Sequence, residues 1–134
     1  MGNRRKAREH ALKLLFQMEF ATQSLSSVLA SYWVDNPSPE EVCRFTEELC
    51  AGTLRNLPEI DLSLEAHSTN WKLSRMASVD RNLLRLATFE LLYKKEIPYS
   101  VTINEALEIA KIYGSEESAS FINGILDKIA KEGG

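Results

Sequence analysis

No run of about 18 or more apolar residues occurs in this 134-residue chain, so nothing in it reads as a membrane-spanning helix. The basic N-terminus leads into an amphipathic segment rather than an apolar block with a cleavage site, so no secretory signal is expected. Cysteine is scarce: Cys43 and Cys50 lie one heptad apart, project from nearly the same side of one helix and cannot staple distant parts of the chain. A reducing cytoplasm is the expected setting. With only two histidines there is no zinc-ligand spacing, and a metal site is not expected. The chain also lacks a Gly-rich phosphate loop, a Gly-x-Ser-x-Gly elbow, internal repeats, low-complexity tracts and strand-like alternation. No catalytic constellation and no cofactor site are expected. The length suits one globular domain over 1–134 and leaves little room for a nucleotide-binding domain beside a substrate domain.

Charge is unevenly spread. Up to residue 14, Arg4, Arg5, Lys6, Arg8 and Lys13 stand against Glu9 alone, a local +4 in a chain of net charge −3, which leaves −7 for the rest. An acidic body with a basic end suggests a polyanion contact there, although a basic helix end also serves solubility.

The hydrophobic spacing predicts an all-α fold of six or seven helices. Ala7, Ala11, Leu14, Leu15 and Met18 make one face of a first helix over about 3–21. Leu25, Val28, Leu29 and Tyr32 mark a second, which stops before Asp35-Asn36-Pro37. A third is expected to start with Ser38 as N-cap, Pro39 at the first helical position, and Glu40 and Glu41 against the dipole. Its face is Val42, Phe45 and Leu49, with Gly52 letting a neighbouring helix approach. A fourth starts near Pro58 and presents Ile60, Leu64, His67 and Trp71, with His67 read as a hydrogen-bonded histidine at the edge of the core. From Ser78 to Lys95 the chain is apolar on almost every side, which marks a central helix. Thr102-Ile103-Asn104-Glu105 reads as a capping box for the next helix, Gly114 as its stop, and Ser115 as the cap of a last helix carrying Ile122, Ile125, Leu126 and Ile129.

Two stripes fall outside these faces. Arg5, Arg8, Leu12 and Phe16 align on the first helix away from the core direction, and Glu117, Phe121, Gly124 and Lys128 flank the last helix's apolar face. Either phenylalanine could complete the domain's own core. Read as surfaces, the arginines suit phosphate and Phe121 suits base stacking, a combination that favours single-stranded RNA over duplex DNA. Among the carboxylates Asp80, Glu90, Glu105 and Glu108, Glu105 has the capping role, Glu108 faces outward, and Glu90 sits among apolar positions. A buried ion pair or backbone hydrogen bonds are expected at Glu90, with no partner identifiable.

Three blocks carry a family likeness. They are Arg4-Arg5-Lys6-Ala7-Arg8-Glu9 with Ala11-Leu12 and Phe16; Trp71 and Arg75 leading into Asp80-Arg81-Asn82-Leu83-Leu84-Arg85-Leu86-Ala87 and Glu90-Leu91; and Ile97-Pro98 through Ile103-Asn104-Glu105-Ala106, Ala110-Lys111, Tyr113-Gly114 and Phe121-Ile122-Asn123-Gly124-Ile125-Leu126-Asp127. Over nearly its whole length the chain resembles the NusB transcription antitermination factors of bacteria. The resemblance implies a seven-helix bundle of two packed sub-bundles. It also implies binding of the boxA element of ribosomal-operon RNA together with a small-subunit ribosomal protein, called NusE in this context, in a transcription elongation complex with NusA, NusG and RNA polymerase. By position, Arg4, Arg5, Lys6 and Arg8 match the family's arginine-rich RNA-binding motif, Glu117 and Phe121 its last-helix RNA surface, and Phe16 and Asp80 the surface that meets the ribosomal protein. The family often has Tyr where this chain has Phe16, which removes a hydroxyl. Lys6 stands where some relatives have Arg, which keeps the charge but not the bidentate geometry. A similar domain occurs at the front of certain ribosomal-RNA cytosine methyltransferases, but no Gly-rich strand–turn–helix follows here, so an enzyme is not expected. A purely protein-binding adaptor is the third reading, and the first-helix stripe suits either a monomer or an RNA-occluding homodimer.

Overall fold

The computed structural model describes residues 2–68 and 72–133. Trp71, expected on the fourth helix's face, lies outside the described residues. Seven α-helices follow one another among them: α1 (Asn3–Met18), α2 (Leu25–Asp35), α3 (Glu40–Arg55), α4 (Leu57–His67), α5 (Ser78–Tyr93), α6 (Tyr99–Tyr113) and α7 (Ser118–Gly133), with a 3-10 turn at Leu73–Arg75. α1 packs along α3 with α2 across both, while α6 and α7 pack together, and α5 touches α1, α3, α4, α6 and α7. The helix that is apolar on nearly every side is therefore the one shared by both groups. Leu83, Leu84 and Leu86 are buried on different sides of it, each such side chain contributing about 1.5–3 kcal/mol of transfer free energy.

Gly52 explains how α3 and α5 come so close. A Cβ built there would lie 2.1 Å from the tip of the Phe89 ring, so the aromatic of α5 occupies the space a side chain would take. Gly52→Ala is expected to destabilise the fold by about 1–3 kcal/mol through overpacking, measured by urea denaturation. A variant as stable as the parent would mean that Phe89 repacks freely.

The start signals are where the structure departs from the sequence reading. Ser38 is not an N-cap: α3 begins at Glu40 directly after Pro39, and the Ser38 hydroxyl donates to the Asn36 carbonyl at 3.2 Å. The capping box at Thr102 does not form either, because α6 already begins at Tyr99 after Pro98. Thr102 is inside the helix and buried, and its hydroxyl reaches Glu90 Oε1 at 3.4 Å. In both helices the fixed φ of proline sets the turn, which places the start after Ser38 in α3 and ahead of Thr102 in α6. Ser115 does not cap α7 through its own side chain; its amide donates to Ser118 Oγ at 2.9 Å. Gly114 does close α6, donating to the Ala110 carbonyl at 2.8 Å.

α1 stops at Met18, short of the expected end, and Glu19 becomes a staple. Its carboxylate accepts from Ser78 Oγ at 3.2 Å and from Arg81 Nε and Nη2 at 2.8 and 3.0 Å, and Arg81 also donates to the carbonyls of Leu73 and Met76. Arg85 continues the network to Asp61 at 2.9 and 3.0 Å. The hydrogen bonds from Arg81 hold the Glu19 carboxyl below the usual carboxylate range. This network fixes the end of α1 against the start of α5. His67 sits at the edge of the core, with Nδ1 2.8 Å from the Ser63 carbonyl and Nε2 2.9 Å from Glu132. Burial pushes the Cys50 thiol up to about 12, which suits an inert core residue. Among the described residues no helix is long and apolar enough to cross a membrane, and no cluster of metal-binding side chains occurs.

Candidate nucleic-acid interface

The first turn of α1 contains no acidic residue and presents Arg4, Arg5 and Lys6. Cations at the positive end of a helix dipole oppose its stability by a few tenths of a kcal/mol each. The last turn contains no base to offset this, so the charges at the two ends of the helix do not favour it. What the arrangement does favour is an external anion, which meets three cations, free backbone N–H groups and the dipole together. Gly2, at φ 95°, starts the turn in the left-handed region that glycine alone adopts readily.

The four basic residues have different surroundings. Lys6 is exposed, and Arg4 is exposed with its guanidinium 4.3 Å from the centre of the Phe45 ring, a cation–π shelf that orients the charge without neutralising it. Arg5 makes a two-point ion pair with Glu105, through Nε to Oε1 and through Nη2 to Oε2 at 3.0 Å. Arg8 lies at the floor of the cleft beside Arg4 and Arg5 and is nearly buried. Its side chain is 4% exposed, and it forks onto Glu90, itself 1% exposed, with contacts of 2.9 and 2.8 Å. The stripe Arg5, Arg8, Leu12, Phe16 is thus not one exposed face: Leu12 is buried as well. α1 is packed on two sides, against α3 and α5, so its buried arc is wider than the apolar spacing alone predicts.

Phe16 emerges at the far end of α1, 46% exposed, and forms an edge-on pair with Phe20, 73% exposed, at 5.6 Å. Phe20 escaped the sequence reading, although its place four residues after Phe16 is the spacing that brings helical side chains together. Phe121 is partly buried against the core and lines an open cleft with Arg75, Met76, Asp80, Ser115 and Glu117. Asp80 and Phe121, expected on a protein surface and an RNA surface respectively, share this cleft, where Asp80 Oδ1 is buried without a hydrogen-bond partner. The Glu19 staple brings the start of α5 to the Phe16 end of α1. The cationic first turn is at the opposite end, about 20 Å away at 1.5 Å per residue.

Comparison with known proteins places this architecture. The family model described as the NusB family matches residues 5–131. The chain belongs to the NusB family. It is 54% identical over 131 residues to the transcription antitermination protein NusB of Desulfitobacterium hafniense, covering 96% of this chain and 88% of that one. A solved structure of T. maritima NusB superposes with a TM-score of 0.88 at 43% identity, covering 98% of this chain and 92% of the other. A further structure, of the antitermination factors NusB and NusE in complex with dsRNA, aligns with a TM-score of 0.87 at 25% identity over 98% of both chains. The seven-helix NusB architecture expected from the motifs is the one observed. Within it, the pairing of Glu90 with Arg8 supplies the partner that the sequence left open.

Proposed function

We propose that this NusB-family chain is a transcription antitermination factor that binds boxA-type single-stranded RNA of ribosomal-operon transcripts together with NusE. In this reading it acts in the cytoplasm within the elongation complex of RNA polymerase, NusA and NusG, as a binding protein rather than a catalyst. The observation that carries it is the cationic first turn of α1, whose charge order lowers helix stability and favours an anion. The relative solved with NusE and dsRNA supports the partnership with NusE and RNA, while the preference for a single strand rests on Phe121 as a stacking surface.

Arg4 and Lys6 would supply phosphate contacts, Arg5 a third from within its ion pair, and Phe121 a stacking platform beside Glu117. Arg8 would act behind the surface, holding α1 in place through Glu90. Phe16 and Phe20 would meet NusE, with Asp80 at the same end of the molecule. A single strand that runs from the first turn of α1 toward the Phe121 cleft can use both ends, and Phe121 stacks on bases that only an unpaired strand exposes.

The test is fluorescence anisotropy of labelled boxA RNA and a scrambled control at several salt concentrations, with and without NusE. Preferential boxA binding that NusE tightens is expected. Arg4→Ala and Lys6→Ala each weaken binding to both RNAs and flatten the log–log salt slope by about 0.7. Phe121→Ala costs about 1–3 kcal/mol and reduces the preference for boxA. Equal or no binding of the two RNAs, unchanged by NusE, would leave a protein-only adaptor.

A further inference from the structure

Glu105 is a carboxylate beside residues that would bind RNA, and simple charge counting makes it unfavourable there. Its geometry says otherwise. A guanidinium has five N–H donors, and Glu105 takes two of Arg5's, at Nε and at Nη2. Those two lie along one side of the planar group. One N–H of Nη1 and the second of Nη2 make up its outer end, the fork that a phosphate engages with two parallel hydrogen bonds. The Arg5 side chain remains 24% exposed. It lines an open cleft between α1 and α6 with Arg4, Ile97, Val101 and Glu105.

Glu105 is itself held in place. Its Oε1 lies 3.9 Å from Arg8 Nη1, and Arg8 is locked to buried Glu90. A chain of alternating charges therefore runs from Glu90 in the core through Arg8 and Glu105 to Arg5 at the surface. α5 and α6 set the position of Arg5 through it.

We infer that Glu105 is a positioning residue for RNA binding, holding the Arg5 guanidinium by its inner side so that its outer fork is presented to a phosphate already oriented. This rests on the reading of the first turn of α1 as an RNA contact. Ordering a flexible arginine on binding opposes association, and an arginine already ordered avoids that cost. The hydrogen bonds between them raise the Arg5 pKa and lower that of Glu105, so the pair stays ionised in neutral solution.

The two physical pictures predict opposite signs. If Glu105 only repels RNA, its removal tightens binding; if it positions Arg5, removal weakens binding despite deleting a negative charge. Glu105→Ala is expected to weaken both boxA and scrambled RNA about 3–10-fold, the range set by immobilising one long side chain. Glu105→Gln, which keeps one acceptor, falls between it and the parent. In an Arg5→Ala background, Glu105→Ala changes nothing further, because the two act through one contact. Thermal melts accompany each variant, and if the alanine variant does not fold, the Gln variant with and without Arg5 decides. Unchanged or tighter RNA binding, or the same loss without Arg5, overturns the inference. A parent protein that binds neither RNA would instead overturn the functional reading beneath it.

Discussion

Arg8→Ala is expected to lower stability by about 3–5 kcal/mol, the range for removing one partner of a buried ion pair. In a domain of this size that is a fall of about 10–20 °C in Tm. The cause is less the loss of a contact than what remains. Glu90 is 1% exposed and accepts from Arg8 Nε and Nη2; without them, the hydrogen bond left to it among the described residues is from Thr102 at 3.4 Å. A carboxylate stranded in the core must be desolvated, protonated or given water by local opening. Arg8→Met combined with Glu90→Leu removes both charges and is expected to recover most of the loss, because an apolar pair of similar volume avoids both desolvation penalties. The same double variant separates the two roles open to Arg8. With its guanidinium buried, the RNA salt slope of the refolded double variant should equal that of the parent. A slope lower by about 0.7 would instead mean that Arg8 reaches a phosphate. Circular-dichroism melts and anisotropy on the same preparations provide both readouts.

Phe16→Ala is expected to weaken binding of NusE about 30-fold, equivalent to about 2 kcal/mol. A large aromatic held half out of the core contributes most of its transfer free energy only when a partner covers it. The edge-on contact with Phe20 preorients the ring, so little order is lost on binding. Phe20→Ala should cost less, since Phe20 is the more exposed of the two and would form the rim. Neither change should move the stability of the free chain by much, and neither should alter RNA binding in the absence of NusE, because the cationic first turn is at the other end of α1. Titration calorimetry with NusE checks the affinity. NusE affinity within twofold of the parent would remove Phe16 from that surface, and loss of self-association in the variant would assign the phenylalanine pair to a second copy of this chain.

Particular residues show why some features were legible and others not. The central place of α5 could be read from leucines on every side of it, since only a helix enclosed by others tolerates that pattern. Gly52 could be read as a close approach, although Phe89 as its occupant could not. Ser38 and Thr102 had the local chemistry of caps and were displaced by Pro39 beside the first and Pro98 four residues before the second. Glu105 looked explained by capping and was committed to Arg5 instead. Phe20 lay inside the expected first helix, four residues after Phe16, and that spacing made the pair legible although it was overlooked.

The sequence by itself determined that the chain is all-α, where its helices lie within a few residues, which face of each is apolar, which helix is central, and, through three motif blocks, its family. These are properties of a residue and its near neighbours along the chain, and helical periodicity transmits them without a fold. Tertiary structure alone decided which charges are spent inside the molecule. Arg8 meets Glu90 across 82 residues and Arg5 meets Glu105 across 100. An ion pair depends on distance and burial, and helical phase gives a side chain's direction about its own axis but says nothing of which helix stands opposite. The same arginine-rich segment therefore divides into a buried lock at Arg8, a half-buried ion pair at Arg5 and exposed cations at Arg4 and Lys6 only once α5 and α6 are in place.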